Sequence, residues 1–144
     1  MNKLTIEDLI QKNGIKGKRV LVRVDFNVPL DESRKITDAK RIIESLPTIY
    51  AITENGGKCI LMSHLGRPKG EKNLKYSLNV AAEFLTSALG RPVLFSDDCI
   101  NPDNIKVIDE MKEGDVLLLE NLRFYKDEEK NVPEFAEKLA AYGD

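Results

Sequence analysis

Apolar residues recur along this chain in two alternating rhythms. Short runs, β-branched or continuously apolar, fall at Arg19–Phe26 (R-V-L-V-R-V-D-F), Cys59–Met62 (C-I-L-M), Val93–Ser96 and Val116–Leu119. Runs of this length and composition predict strands, and the unbroken ones predict strands covered on both faces, as in a parallel sheet. Between them the period lengthens to that of a helix. Asp38 to about Glu54 carries Ile42, Ile43, Leu46, Ile49, Tyr50 and Ile52, with Pro47 inside the pattern, which predicts a kink rather than a stop. Leu78, Ala81, Ala82, Leu85 and Leu89 share a second helical face, ended by Gly90 and Pro92. Asn101-Pro102 opens a third helix through Ile105, Ile108 and Met111, closed by Gly114. Asn131-Val-Pro-Glu134 opens a last one, carrying Phe135, Leu139 and Tyr142, and Thr5-Ile-Glu-Asp8 resembles a capping box for a short first helix. Pro29–Thr37 reads as a loop or small hairpin.

Strands alternating with helices predict βαβ units, and hence an α/β fold: a three-layer α/β/α sandwich around a parallel, Rossmann-like sheet. In such sheets ligands bind outside the carboxyl ends of the strands. The Cys59–Met62 run leaves into S-H-L-G-R-P-K-G, so His64, the one histidine of the chain, and Arg67 stand at a strand exit. The first strand delivers Asp25 and Asn27 to the same edge, the fourth Glu120, Asn121 and Arg123, and the kinked helix adds Arg41 near its first turn. Ser96, Asp97 and Asp98, after the third strand, are left out of the site. Arginine forks hold oxyanions through paired, charge-assisted hydrogen bonds, so Arg41, Arg67, Arg123 and His64 together suit a small phosphorylated ligand, with room for a carboxylate as well. Each of these residues taken singly is equally at home as a solvated surface arginine or a packed histidine.

Composition narrows the picture by exclusion. With 144 residues, the chain has the length of one domain or a large part of one, long enough to bury a core. A net charge of −2 gives no electrostatic case for nucleic acid. No apolar run reaches membrane-spanning length, and acids interrupt the N-terminal stretch where a secretory signal needs an apolar core. Cys59 and Cys99 lie in or beside apolar runs and read as buried reduced thiols of a cytosolic protein rather than a disulfide. Phosphate-binding glycine motifs, local nucleophile signatures and metal-ligand spacings are missing. The lysines of Lys69–Lys75 and Lys126–Lys130 read as solvated loops.

Several blocks, taken in order, resemble the phosphoglycerate kinase family: V-L-V-R-V-D-F-N-V-P-L (Val20–Leu30), I-T-D-A-K-R-I (Ile36–Ile42), S-L-P-T-I (Ser45–Ile49), M-S-H-L-G-R-P-K-G (Met62–Gly70) and L-L-L-E-N-L-R-F (Leu117–Phe124). The resemblance runs the length of the chain and departs from the family's usual pattern at Ile43, where a second arginine is common. It implies a two-domain glycolytic kinase that moves a phosphoryl group between ATP and the carboxylate of 3-phosphoglycerate, giving 1,3-bisphosphoglycerate and ADP. Residues 1–144 would be part of its N-terminal, phosphoglycerate-binding domain. The C-terminal domain, which binds Mg²⁺ with ATP or ADP, would lie outside the chain, and the fragment alone would be inactive. By position, Asp25, Phe26 and Asn27 correspond to the segment at the substrate's hydroxyl and carboxyl end. His64, Leu65, Gly66, Arg67 and Arg123 correspond to the part that grips its phosphate, and Arg41 to the arginine that reaches the transferred phosphoryl group and carries catalysis. A further arginine of that patch is expected beyond Asp144. The resemblance also implies a cytoplasmic, monomeric parent enzyme without nucleic-acid or membrane partners. A non-catalytic anion-binding or interaction module of the same descent is the alternative.

Overall fold

The computed structural model describes residues 14–66, 68, 70, 73–125 and 133–143. The expected Thr5 helix, Arg67, Lys69, Glu71 and Lys72 of the following loop, the Lys126–Lys130 run and the Asn131 cap lie outside them. The described residues form β1 (Arg19–Arg23), α1 (Lys40–Glu54), β2 (Lys58–Met62), α2 (Asn79–Leu89), β3 (Leu94–Ser96), α3 (Asn104–Glu110), β4 (Val116–Leu119) and α4 (Pro133–Ala140), with single 3₁₀ turns at Leu74–Tyr76 and Leu122–Phe124. The four strands pair in the order β1-β2-β4-β3, parallel throughout. β2 and β4, which carry the unbroken apolar runs Cys59–Met62 and Val116–Leu119, are the inner pair, as that hydrophobicity requires.

Alternation along β2 and β4 divides the interior into two cores. Cys59, Leu61, Val116 and Leu118 face one side, where Ile42, Ile49 and Ile52 of α1 and Ala81, Ala82 and Leu85 of α2 cover them. Ile60, Leu117 and Leu119 face the other, against Ile108 of α3, Met111, and Leu139 and Tyr142 at the end of the chain. This is the expected three-layer sandwich. Both cysteines are buried and unbridged, and they belong to opposite cores, so the sheet itself separates them.

Several boundaries differ from the sequence reading, each for a local reason. β1 ends at Arg23 rather than Phe26. Val24 N–H still reaches Met62 C=O at 2.9 Å, but Phe26 N–H turns to the Ser63 hydroxyl, and Asn27 N–H to Asp25 Oδ1. α1 runs through Pro47 to Glu54; its buried face is Ile42, Ile49 and Ile52, whereas Ile43 and Tyr50 are exposed. Asp38 stands just outside the helix and accepts from Lys40 N–H. α3 stops at Glu110, short of Gly114, and Ile105 faces solvent. Gly114, at φ +86°, turns the chain into β4 instead, its N–H bonded to Gly57 C=O. Residues 30–36 do form a minimal hairpin, closed by one antiparallel bridge between Leu30 and Ile36. Arg34 ties it to the start of α2 through Ser77 C=O and Asn79 Oδ1.

Candidate active-site edge

Ser63 joins three strand exits. It follows β2 and is fully buried. Its hydroxyl accepts from Phe26 N–H (2.9 Å) after β1, and its carbonyl accepts from Leu122 N–H (3.0 Å) after β4. The chain segments that carry the candidate residues therefore leave the sheet side by side.

On the β1 side, Asp25, Asn27 and Arg41 form one cluster. Arg41 Nη1 donates to Asn27 C=O at 2.8 Å and stands 3.4 Å from Asp25 Oδ1. Asp25 also accepts from Asn27 N–H at 3.1 Å. The Asn27 side chain reaches the neighbouring exit, its Oδ1 accepting from Gly66 N–H at 2.9 Å. Arg41 and Asp25 keep 51% and 63% of their side-chain surface exposed, so both charged heads remain open to a ligand. Gly66 has φ +63°, and a β-carbon there would run into the Tyr76 ring; both constraints select glycine.

On the β4 side, Glu120 and Asn121 are buried and serve the interior. The Glu120 carboxylate accepts from the Ser77 hydroxyl (2.6 Å), Leu78 N–H (2.8 Å) and Asn121 N–H (2.9 Å), and so caps the entry to α2. The Asn121 amide donates to Leu65 C=O (2.8 Å) and Tyr76 C=O (2.9 Å), while its Oδ1 accepts from Arg123 N–H (3.0 Å). Both stand at the edge where the sequence puts them, but neither faces outward as Arg123 was expected to do with them.

His64 and Arg123 are half-buried on these adjoining exits, each with interactions inside the fold. Phe26 and Leu65 point into the core, so any contact they make with an edge ligand comes from backbone alone. Arg67 lies outside the described residues. Asp25, Asn27, Arg41, His64, Gly66 and Arg123 are thus brought to one edge by short links. Sequence reasoning missed Ser63 as the joint between exits; a small hydroxyl directly after an apolar strand was the available signal.

A cavity of about 420 Å³ adjoins this edge, with Asn27, Leu65, Gly66, Arg34, Lys75 and Tyr76 among its lining. It is of a size for a small ligand. The β3 exit is different. Asp98 accepts from the Tyr125 hydroxyl (2.7 Å), and buried Asn104 links Ser96, Asp98 and Tyr142. These groups close α4 onto the sheet. Burial and the Asp98 carboxylate push the Tyr125 phenol upward, away from ionisation. Among the described residues, His, Cys, Asp and Glu do not gather into a metal-ligating set of three or more.

Comparison with known proteins gives one family. The family profile described as Phosphoglycerate kinase matches residues 10–144. Over all 144 residues the chain is 53% identical to the phosphoglycerate kinase of Chlorobium limicola and 55% identical to that of Dictyoglomus turgidum, covering 35% and 36% of their lengths. The chain thus spans about a third of the length of these curated relatives. Among solved structures, phosphoglycerate kinase from Coxiella burnetii superposes with a TM-score of 0.80 at 33% identity, covering 94% of this chain and 33% of that one. The Pyrococcus horikoshii enzyme gives 0.81 at 29% identity, with 94% and 34% covered.

Proposed function

This chain belongs to the phosphoglycerate kinase family, and we propose that it supplies the phosphoglycerate-binding part of such an enzyme. The observation that carries the reading is the linked edge: Arg41 on Asp25 and Asn27, Asn27 on Gly66, and Asn121 on Leu65 and Arg123. Cations and hydroxyl-binding groups are held there at adjoining strand ends, the address at which parallel sheets bind ligands. In this reading Asp25, Asn27 and the backbone at Phe26 take the hydroxyl and carboxyl end of 3-phosphoglycerate, and His64, Leu65, Gly66, Arg67 and Arg123 take its phosphate.

The reaction follows from the ligand's chemistry. A carboxylate oxygen of 3-phosphoglycerate attacks the γ-phosphorus of ATP; the new O–P bond forms as the bond to the bridging oxygen of ADP breaks. That carboxylate is already ionised at pH 7, so the residues of this edge need supply no general base. Their work is alignment, and positive charge on the oxygens of the moving phosphoryl group. We assign that charge to Arg41; in support, its half-exposed guanidinium is steered by Asp25 and Asn27 without being buried by them. Mg²⁺ accompanying ATP or ADP supplies further charge neutralisation when bound, and we assign it with the nucleotide to parts of the family's length outside this chain. The enzyme acts in the cytoplasm as a monomer.

Two measurements test this. Calorimetric titration of the chain with 3-phosphoglycerate should show binding that weakens as salt is raised; a folded chain that binds nothing at low salt counts against the edge as a complete site. In a chimera where this chain replaces the matching third of the Chlorobium limicola enzyme, Arg41→Ala should lower kcat by about 100-fold or more with much less change in KM for 3-phosphoglycerate. Equal losses in both would make Arg41 a ground-state binder only.

A further inference from the structure

We propose that Asn121 is a positioning residue that sets the spacing between the His64–Gly66 loop and Arg123, and through it the affinity for phosphoglycerate. The inference rests on the edge being the phosphoglycerate site.

An asparagine side chain offers two N–H donors and one carbonyl acceptor. All three functions are used here, on three different segments: Leu65 C=O between His64 and Gly66, Tyr76 C=O in the 3₁₀ turn, and Arg123 N–H. The residue is fully buried, so water cannot replace these bonds. The nearest substitutes do not reproduce this set at the same reach. Aspartate would set a carboxylate against two carbonyls, serine has one donor, and glutamine carries an extra methylene.

The bonds lead directly to the site's charged groups. Leu65 is the immediate neighbour of His64, and Gly66 is held in turn by Asn27 Oδ1, whose backbone carbonyl holds Arg41. Arg123 N–H donates to the oxygen of the same amide whose nitrogen fixes Leu65. One buried side chain therefore connects the two exits that bear His64 and Arg123 and reaches Arg41 through Asn27. It touches no ligand itself. A displacement of these exits by a fraction of an ångström would misalign groups that must meet one small anion together.

A purely architectural role would lower stability and leave the folded protein's affinity alone; a positioning role separates the kinetic constants. In the chimera, Asn121→Ala should raise KM for 3-phosphoglycerate by about tenfold or more, with KM for ATP changed less than about twofold. An active, folded variant whose phosphoglycerate KM stays within about twofold of the unmutated chimera overturns the positioning role alone. An inactive unmutated chimera overturns the reading of the edge itself, and this proposal with it. Should Asn121→Ala fail to fold, hydrogen exchange on the unmutated 144-residue chain decides the matter. The Asn121 side-chain amide and the Gly66 and Arg123 N–H groups should exchange slowly, and more slowly still with 3-phosphoglycerate. Exchange at the rate of a solvated asparagine, or no response to bound 3-phosphoglycerate, overturns the proposal.

Discussion

Two carboxylates at the same edge of this sheet, Glu120 and Asp25, have opposite uses, and the difference lies in burial and in the count of donors around them. Glu120 is 2% exposed and meets three donors: the Ser77 hydroxyl, Leu78 N–H and Asn121 N–H. Asp25 is largely exposed and meets one local N–H and one guanidinium, the latter at 3.4 Å. The first is used up in holding α2 and the Asn121 segment together. The second leaves its charge and its partner Arg41 available to something outside the chain. A carboxylate at a strand exit is therefore not a site residue by address alone.

The largest effect that can break this comparison is on stability. Glu120→Ala strands three donors in the interior, two of them backbone, and an unsatisfied buried polar group costs about 1–3 kcal/mol. We expect a loss of roughly 3 kcal/mol or more in urea unfolding. A loss below about 1 kcal/mol would mean that water or relaxation satisfies those donors, and Glu120 would then belong with Asp25.

Much of this arrangement was legible in the sequence, for reasons that also explain what was not. The strands and helices followed from period, because β2 and β4 are covered on both faces and α1 and α2 on one. Gly90, at φ +71° after α2, ended its helix as its type suggests. Arg41, near the first turn of α1, and His64 and Arg123, at strand ends, were legible as charges at one edge, and topology does bring those segments together. Burial of polar residues was not legible. Glu120 and Asn121 look, as letters, like edge residues alongside Arg123; only the fold shows Ser77, Tyr76 and Leu65 arriving from far along the chain to meet them. The exit of β1 was misjudged for a related reason. Val24 and Phe26 continue the apolar pattern, but Ser63 takes over as the partner of Phe26 N–H, and the ladder ends.

A smaller effect sharpens the rule by removing the donors altogether. Cys59 is buried in the α1–α2 core, and burial pushes its thiol up to about 12, only partly offset by the Arg91 guanidinium. The unfolded chain releases this proton near pH 8.5 while the folded chain still holds it. The folded state then binds more protons, and stability falls as pH rises through that window up to about 12, by about 1.4 kcal/mol per pH unit once the unfolded thiol has ionised. From pH 8.5 to 10 this amounts to roughly 2 kcal/mol. Cys59→Ala, although less stable at neutral pH, should lose less over the same interval. Equal slopes for the two proteins would show that the buried thiol does not govern the alkaline limb.

The smallest expected effect is the most direct control on the exposed carboxylate. Asp25→Asn keeps the Oδ1 that accepts from Asn27 N–H and changes only the charge facing Arg41. An ion pair this exposed contributes less than about 0.5 kcal/mol, because water screens both partners. Arg41 also retains its 2.8 Å bond to Asn27 C=O, which does not depend on the Asp25 charge. Thermal unfolding of the variant should therefore overlay that of the unmutated chain to within about 2 °C. If Asp25→Asn instead destabilised the chain as much as Glu120→Ala, exposure would not be what separates the two carboxylates, and Asp25 would have to be counted with the scaffold. An unchanged melting curve leaves its charge with no structural duty, and the remaining place for that charge to act is on Arg41 and whatever Arg41 binds.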